Sequence, residues 1–167
     1  MANVIYRATR TTSSDVSASS MSSGTKSVVL WDYQYHYAGR DPRITGVSST
    51  KYGPENKVLA SDLRTIGKEL FGTFAEEDFR YFCQGEVRRQ GAYYYIQARE
   101  PGDAYPFCLS EDGLSISMEN GQVKISGHVG LVYAYDTLPA ESYFTAYFAP
   151  YPGAYLGGYR FDRLILQ

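Results

Sequence analysis

The amino-acid sequence predicts a mainly β fold, an antiparallel β-sandwich or barrel-like domain with one short helical pair inserted at about 58–83, and three observations carry that expectation. Seven or eight short runs rich in β-branched and aromatic residues recur at intervals of roughly ten residues, separated by Gly, Pro, Asn and Asp. Residues 114–126 place Asn120-Gly121 between two alternating runs, and a type I′ turn needs the positive φ that Asn and Gly tolerate. Tyrosine is the outlier of the composition, 17 of 167 residues against 8 Phe and 1 Trp. A large ring with a hydroxyl tip suits half-buried sheet faces and protein contacts better than deep cores.

Residues 1–27 stand apart. Twelve Ser and Thr crowd this stretch, and only Val4, Ile5, Tyr6, Val16 and Met21 offer apolar surface, so it makes no core of its own. It is expected as an extended or disordered arm, ordered against a neighbouring subunit through Val4, Ile5, Tyr6 and Arg7, while residues 28–167 are expected as a single β-rich domain. Val28 to Tyr37 alternates Trp31, Tyr33, Tyr35 and Tyr37 with Asp32, Gln34 and His36, which reads as a strand. Residues 40–56, with Pro42, Gly46, Gly53 and Pro54, read as a long loop. Leu59, Leu63, Ile66 and Leu70 recur at helical spacing, with Ser61 or Asn56 to cap the start and Gly72 as the C′ residue. Thr73 and Glu76 then read as the capping box of a second short helix through Phe79 and Phe82.

From Glu86 onward the chain reads as strand and turn. Val87 to Arg89 and Tyr93 to Ala98 form a hairpin around Gly91, Tyr105 to Leu109 a short strand, and Asp112-Gly113 a turn. In the hairpin that follows, Glu119 pairs with Gln122, Ser117 with Lys124 and Ser115 with Ser126 on a polar face. Met118 pairs with Val123 and Ile116 with Ile125 on an apolar one, so the hairpin is expected to be half buried. Val129 to Tyr135 reads as a central strand, residues 136–141 with Pro139 as a turn, Tyr143 to Phe148 as the returning strand and Phe161 to Leu166 as the last. Between these, residues 150–159 combine Pro and Gly with Tyr151, Tyr155 and Tyr159, and aromatics on a constrained loop mark a contact surface.

The formal charge of −2 and a pI near 5.7 argue against a nucleic-acid binder, which normally presents a basic surface. The N-terminus lacks the apolar core of a secretory signal, and no run approaches the ~18 apolar residues of a membrane span, so synthesis is expected in the cytoplasm with no signal peptide and no membrane partner. Cys83 and Cys108 read as small buried hydrophobes. A catalytic nucleophile needs a base beside it, and only His36 and His128 are on offer, without a G-x-S-x-G elbow. Metal-ligand spacings and phosphate loops do not occur, so neither a metal nor a cofactor is expected. The acidic trio Glu76, Glu77 and Asp78 suits the first turn of a helix, where the dipole favours negative charge.

An apolar-poor arm, a β domain, Tyr-rich faces and no catalytic motif together describe a non-enzymatic structural subunit. In type, by composition and layout over the whole chain rather than by any motif, the sequence resembles the small accessory proteins of virions, such as bacteriophage capsid decoration or cement proteins. That resemblance implies a homo-oligomer, dimer or trimer, within a larger protein assembly, the virion. Its contacts would run through the arm and through Trp31, Tyr33, Tyr35, Tyr151, Tyr155 and Tyr159. Two alternatives stand beside it. One is a carbohydrate- or receptor-binding module such as a tail-fibre tip, using the loops at 40–56 and 150–159; the other is a β-sandwich glycoside hydrolase using Asp136, Glu141 and Asp162.

Overall fold

The computed structural model describes residues 1–11, 14–49, 51–75, 78, 87–99, 107–109, 113–133, 136–154 and 157–167. In chain order the elements are α1 (Ala2–Thr11), β1 (Val16–Ser17), α2 (Ser23–Tyr37), β2 (Ile44–Ser49), β3 (Gly53–Leu59) and α3 (Ala60–Phe71). They continue with β4 (Val87–Gln90), β5 (Tyr93–Gln97), β6 (Phe107–Leu109), β7 (Ser115–Glu119), β8 (Gln122–Tyr133), β9 (Asp136–Pro150) and β10 (Tyr159–Leu166). Strand outweighs helix, so the fold is mainly β, as the sequence predicts. Two antiparallel sheets form. One runs β1-β10-β9-β8-β6 with β7 also paired to β8, the other β2-β3-β5-β4, and among the described residues neither closes into a barrel.

The chain divides into two compact units rather than an arm and one domain: residues 1–21, 69–72 and 102–167 make the first, and 22–68 and 73–101 the second. The N-terminal segment is therefore part of a core. Val4, Ile5 and Ala8 fall on one side of a helical turn and are buried, and α1 packs on β6, β9 and β10. Val16 and Ser17 pair with Leu164 and Arg163, and Asp15 Oδ1 accepts the Leu166 N–H at 2.9 Å. The serines expected to keep this stretch extended or disordered instead close a turn, in which Ser17 N–H donates to Ser20 Oγ at 2.9 Å. Ser22 caps α2 by accepting the Thr25 N–H at 3.1 Å.

In the first unit the Asn120-Gly121 hairpin has the expected register at all five pairs, with Asn120 at φ 51° and Gly121 at φ 78°. β8 runs on without a break to Tyr133, and β9 begins at Asp136, so the turn expected at 136–141 is strand. Pro139 fits because the β8–β9 register shifts between Val129 and Val132, and a bulged stretch of ladder does not require its missing N–H. Between β9 and β10, Tyr151 N–H donates to Gly158 O at 2.7 Å.

In the second unit Val28 to Tyr37 is helix, not strand. The period-two aromatics conceal it: Tyr33 and Tyr37, one turn apart, stack at 4.5 Å between ring centroids. Trp31 and Tyr33 are buried, and so are the alternating polar residues Asp32 and Gln34, so α2 carries no polar stripe to reveal a helical period. The loop expected at 40–56 is the β2–β3 hairpin, paired from Ile44 with Val58 to Ser49 with Gly53. Gly53 takes φ 78° where the chain enters β3, and Pro54 sits beside it at the strand's start. Asn56 is consequently a strand residue and caps nothing. α3, whose residues from Glu69 on are counted with the first unit, forms as expected, with Leu63, Ile66 and Leu70 buried and Gly72 at φ 75° as its C′ residue. It starts one residue past Leu59, which ends β3, so Ser61 lies inside the helix. The β4–β5 hairpin turns at Gly91 as expected. The second short helix through Phe79 and Phe82, and Cys83, lie outside the described residues.

Candidate functional site

The apolar rows of the first unit's sheet end in the open at β7. Register sets Val16, Leu164, Ala146, Ile125 and Ile116 side by side across five strands. The first four are buried and Ile116 is 66 % exposed. A second row runs Phe161, Phe148, Val123 and Met118; its phenylalanines are buried and Met118 is 60 % exposed. Leu114, just before β7, is 39 % exposed as well. The hairpin has the expected register, and Ile125 on its β8 strand is buried as expected, but β7 is exposed throughout, because alternation specifies which side chains share a face and not whether anything covers it.

β7 is also an edge. β8 takes β9 along one side and β7 and β6 along the other, and among the described residues β7 pairs with nothing else. Native edge strands are usually blunted by Pro, by Lys or by a bulge, and Ser-Ile-Ser-Met-Glu has none of these. Its one charge, Glu119, is held by Lys124 Nζ at 2.8 Å on its own hairpin. That neighbour favours the charged ammonium and raises the Lys124 pKa.

A second surface, the face of the second unit's sheet that carries Glu55, Lys57, Arg88, Tyr93 and Tyr95, is rich in rings and cations that pair with one another. Arg88 makes a two-pronged ion pair with buried Glu55 at 2.9 and 2.8 Å, and its guanidinium lies over Tyr95 at 3.9 Å and Tyr52 at 4.8 Å. Lys57 Nζ covers Tyr93 at 4.0 Å. Each of these rings carries one of the chain's own cations over one of its faces.

The buried polar cluster at the start of α2 is equally committed. Ser23 Oγ donates to Asp78 Oδ1 at 2.6 Å, Ser27 Oγ donates to the Asp78 carbonyl, and Lys26 Nζ lies 3.7 Å from Asp78 Oδ2. Ala75 N–H completes the carboxylate at 2.9 Å. Both hydroxyls donate to Asp78, and Ser27, Lys26 and Asp78 are buried, so the cluster fastens α2 to Asp78 and, through it, to Ala75.

Of the residues expected at an interface, Val4, Ile5, Arg7, Trp31 and Tyr33 are buried within the chain and Tyr6 is half-buried. Trp31 Nε1 donates to Arg99 O at 3.0 Å and Tyr33 Oη to Asp41 Oδ2 at 3.0 Å. Tyr35 is exposed, Tyr151 and Tyr159 are half-buried, and Tyr155 lies outside the described residues. Tyr151 is covered by the Arg160 guanidinium at 5.0 Å. For the hydrolase alternative, Asp162 accepts from Gln122 Nε2 at 3.0 Å, and the side chains of Asp136 and Glu141 lie outside the described set. Among the described residues no three His, Cys, Asp or Glu gather as a metal site, and no helix is long and apolar enough to cross a membrane.

The chain matches no protein-family model, no curated protein and no solved structure. The β7 edge, which the sequence placed against a core, is thus the best candidate for a functional surface on its geometry alone.

Proposed function

We propose that the chain is a non-enzymatic assembly subunit that associates with copies of itself, within a larger structure of the virion-accessory kind that its composition and layout suggest. The observation that carries this reading is the pair of core rows ending at exposed Ile116 and Met118 on an open strand edge. The reading does not call on the N-terminal segment as an exchanged arm, since residues 1–21 belong to the first unit and Val4, Ile5 and Ala8 are buried. The joining falls to β7.

Light scattering over a concentration series tests the proposal. The full chain is expected at a multiple of 18.7 kDa, and Ile116→Lys with Met118→Lys is expected at 18.7 kDa. Both side chains point into solvent within the chain, so the double variant keeps the wild-type circular dichroism spectrum and unfolding midpoint. A full chain that stays monomeric across the series overturns the reading.

A further inference from the structure

Resting on that assembly reading, we infer that the partner on β7 is the β7 of a second copy, paired antiparallel about a two-fold axis through Ser117. Because a two-residue loop closes the hairpin, Glu119 and Gln122 form its hydrogen-bonded end pair. Bonding then alternates, so Ser117 and Ser115 point their N–H and C=O toward β8, and Met118 and Ile116 point theirs to the open side. Two β7 strands can exchange these groups only when residues of the same parity meet. Of such registers, the one centred on Ser117 alone overlaps all five residues of the strand. It sets Ile116 against the partner subunit's Met118, Ser117 against Ser117, and Glu119 against the partner subunit's Ser115.

Side-chain chemistry agrees with this register. Each exposed apolar residue of β7 meets another, and the only charge on β7 faces a hydroxyl instead of its own kind. A two-fold axis normal to the sheet also keeps the apolar faces on the same side. The row ending in Ile116 therefore continues into the partner's row beginning with Met118, and a sheet of six strands becomes one of twelve. An unrelated strand could use the open N–H and C=O groups, but the match of β7 to itself selects a second copy.

In this register the two Ser117 residues form a non-hydrogen-bonded pair with Cα atoms about 4.5 Å apart, a separation a disulfide spans. Ser117→Cys in the full chain, oxidised by glutathione disulfide and run on a non-reducing gel, is expected to give at least tenfold more covalent dimer than the wild type. Wild type sets the background from Cys83 and Cys108. Ser115→Cys, which faces Glu119 of the partner subunit, is expected to stay at background. As a second measurement, Met118→Pro removes an N–H that faces the open edge and leaves the bonds to β8, so it halves the mass in light scattering while the fold persists. An oligomeric wild type with Ser117→Cys at background and Met118→Pro unchanged in mass overturns this pairing and leaves the assembly reading standing. A monomeric wild type overturns both.

Discussion

Asp41 is closed off from solvent, and burial alone raises a carboxyl's pKa. Four contacts outweigh that burial: the Arg43 side chain at 2.9 and 2.7 Å, the Arg43 N–H at 3.0 Å and the Tyr33 hydroxyl at 3.0 Å. Together with the Arg43 charge they hold the carboxyl below its ordinary value. With the folded pKa below the unfolded value of about 3.9, the stabilisation is complete above about pH 4 and is lost as the pH falls through the lowered folded value. Asp41→Asn is expected to lower stability by about 2 kcal/mol at neutral pH. Urea titrations from pH 7 to 2 check this: the gap between wild type and variant should close in acid, and a gap independent of pH would show that the charge is not what Asp41 contributes. None of this was legible in the sequence, because Tyr33 comes from a stretch whose alternation suggested a strand, and only a helix turns its hydroxyl toward Asp41.

At the scale of elements, what the sequence could show was local. The β7–β8 hairpin was legible to the residue because its register follows from two turn residues and the alternation beside them. α3 was legible because three of the four residues of its stripe are buried core. α2 was not, since a helix buried on most sides loses its polar stripe and Tyr35 and Tyr37 happen to extend an alternating pattern. α1 left a fainter signal, Val4, Ile5 and Ala8 at helical spacing, which the surrounding serines and threonines outweighed. Gly67 in α3 gives a test in which two rules disagree. Gly→Ala inside a helix normally gains up to about 1 kcal/mol, but a Cβ here would lie 2.5 Å from the Phe74 ring, which is itself buried. Gly67→Ala is therefore expected to destabilise by about 1–3 kcal/mol, read as a lower urea midpoint with an unchanged slope. A gain in midpoint would mean that Phe74 moves aside freely.

For the whole molecule, the sequence placed its interface where the apolar and aromatic residues are most concentrated, and half of those residues are buried inside. Val4, Ile5, Trp31 and Tyr33 are core, whereas the exposed apolar pair comes from a strand that differs from its buried neighbours only in being at an edge. Nothing local in Ser115 to Glu119 encodes that position. The N-terminal segment makes the same point from the other direction. Deleting residues 1–25 removes buried Val4, Ile5, Ala8, Val16 and Met21 together with the strand paired to β10. The truncated chain is expected to lose the cooperative unfolding of the first unit and bind a hydrophobic dye, where loss of a dispensable arm would leave both readouts unchanged.

That closure of the sheet by β1 also sets an order of events during synthesis. Asp15 and the Leu166 N–H it accepts are 151 residues apart, and at about 5–20 residues per second the ribosome needs roughly 8–30 s to cover that distance. Throughout that interval Val4, Ile5 and Ala8 have no β10 to pack against. α1 therefore leaves the ribosome well before the strand it packs on, and during that wait its apolar side is open to chaperones, proteases and other copies of itself.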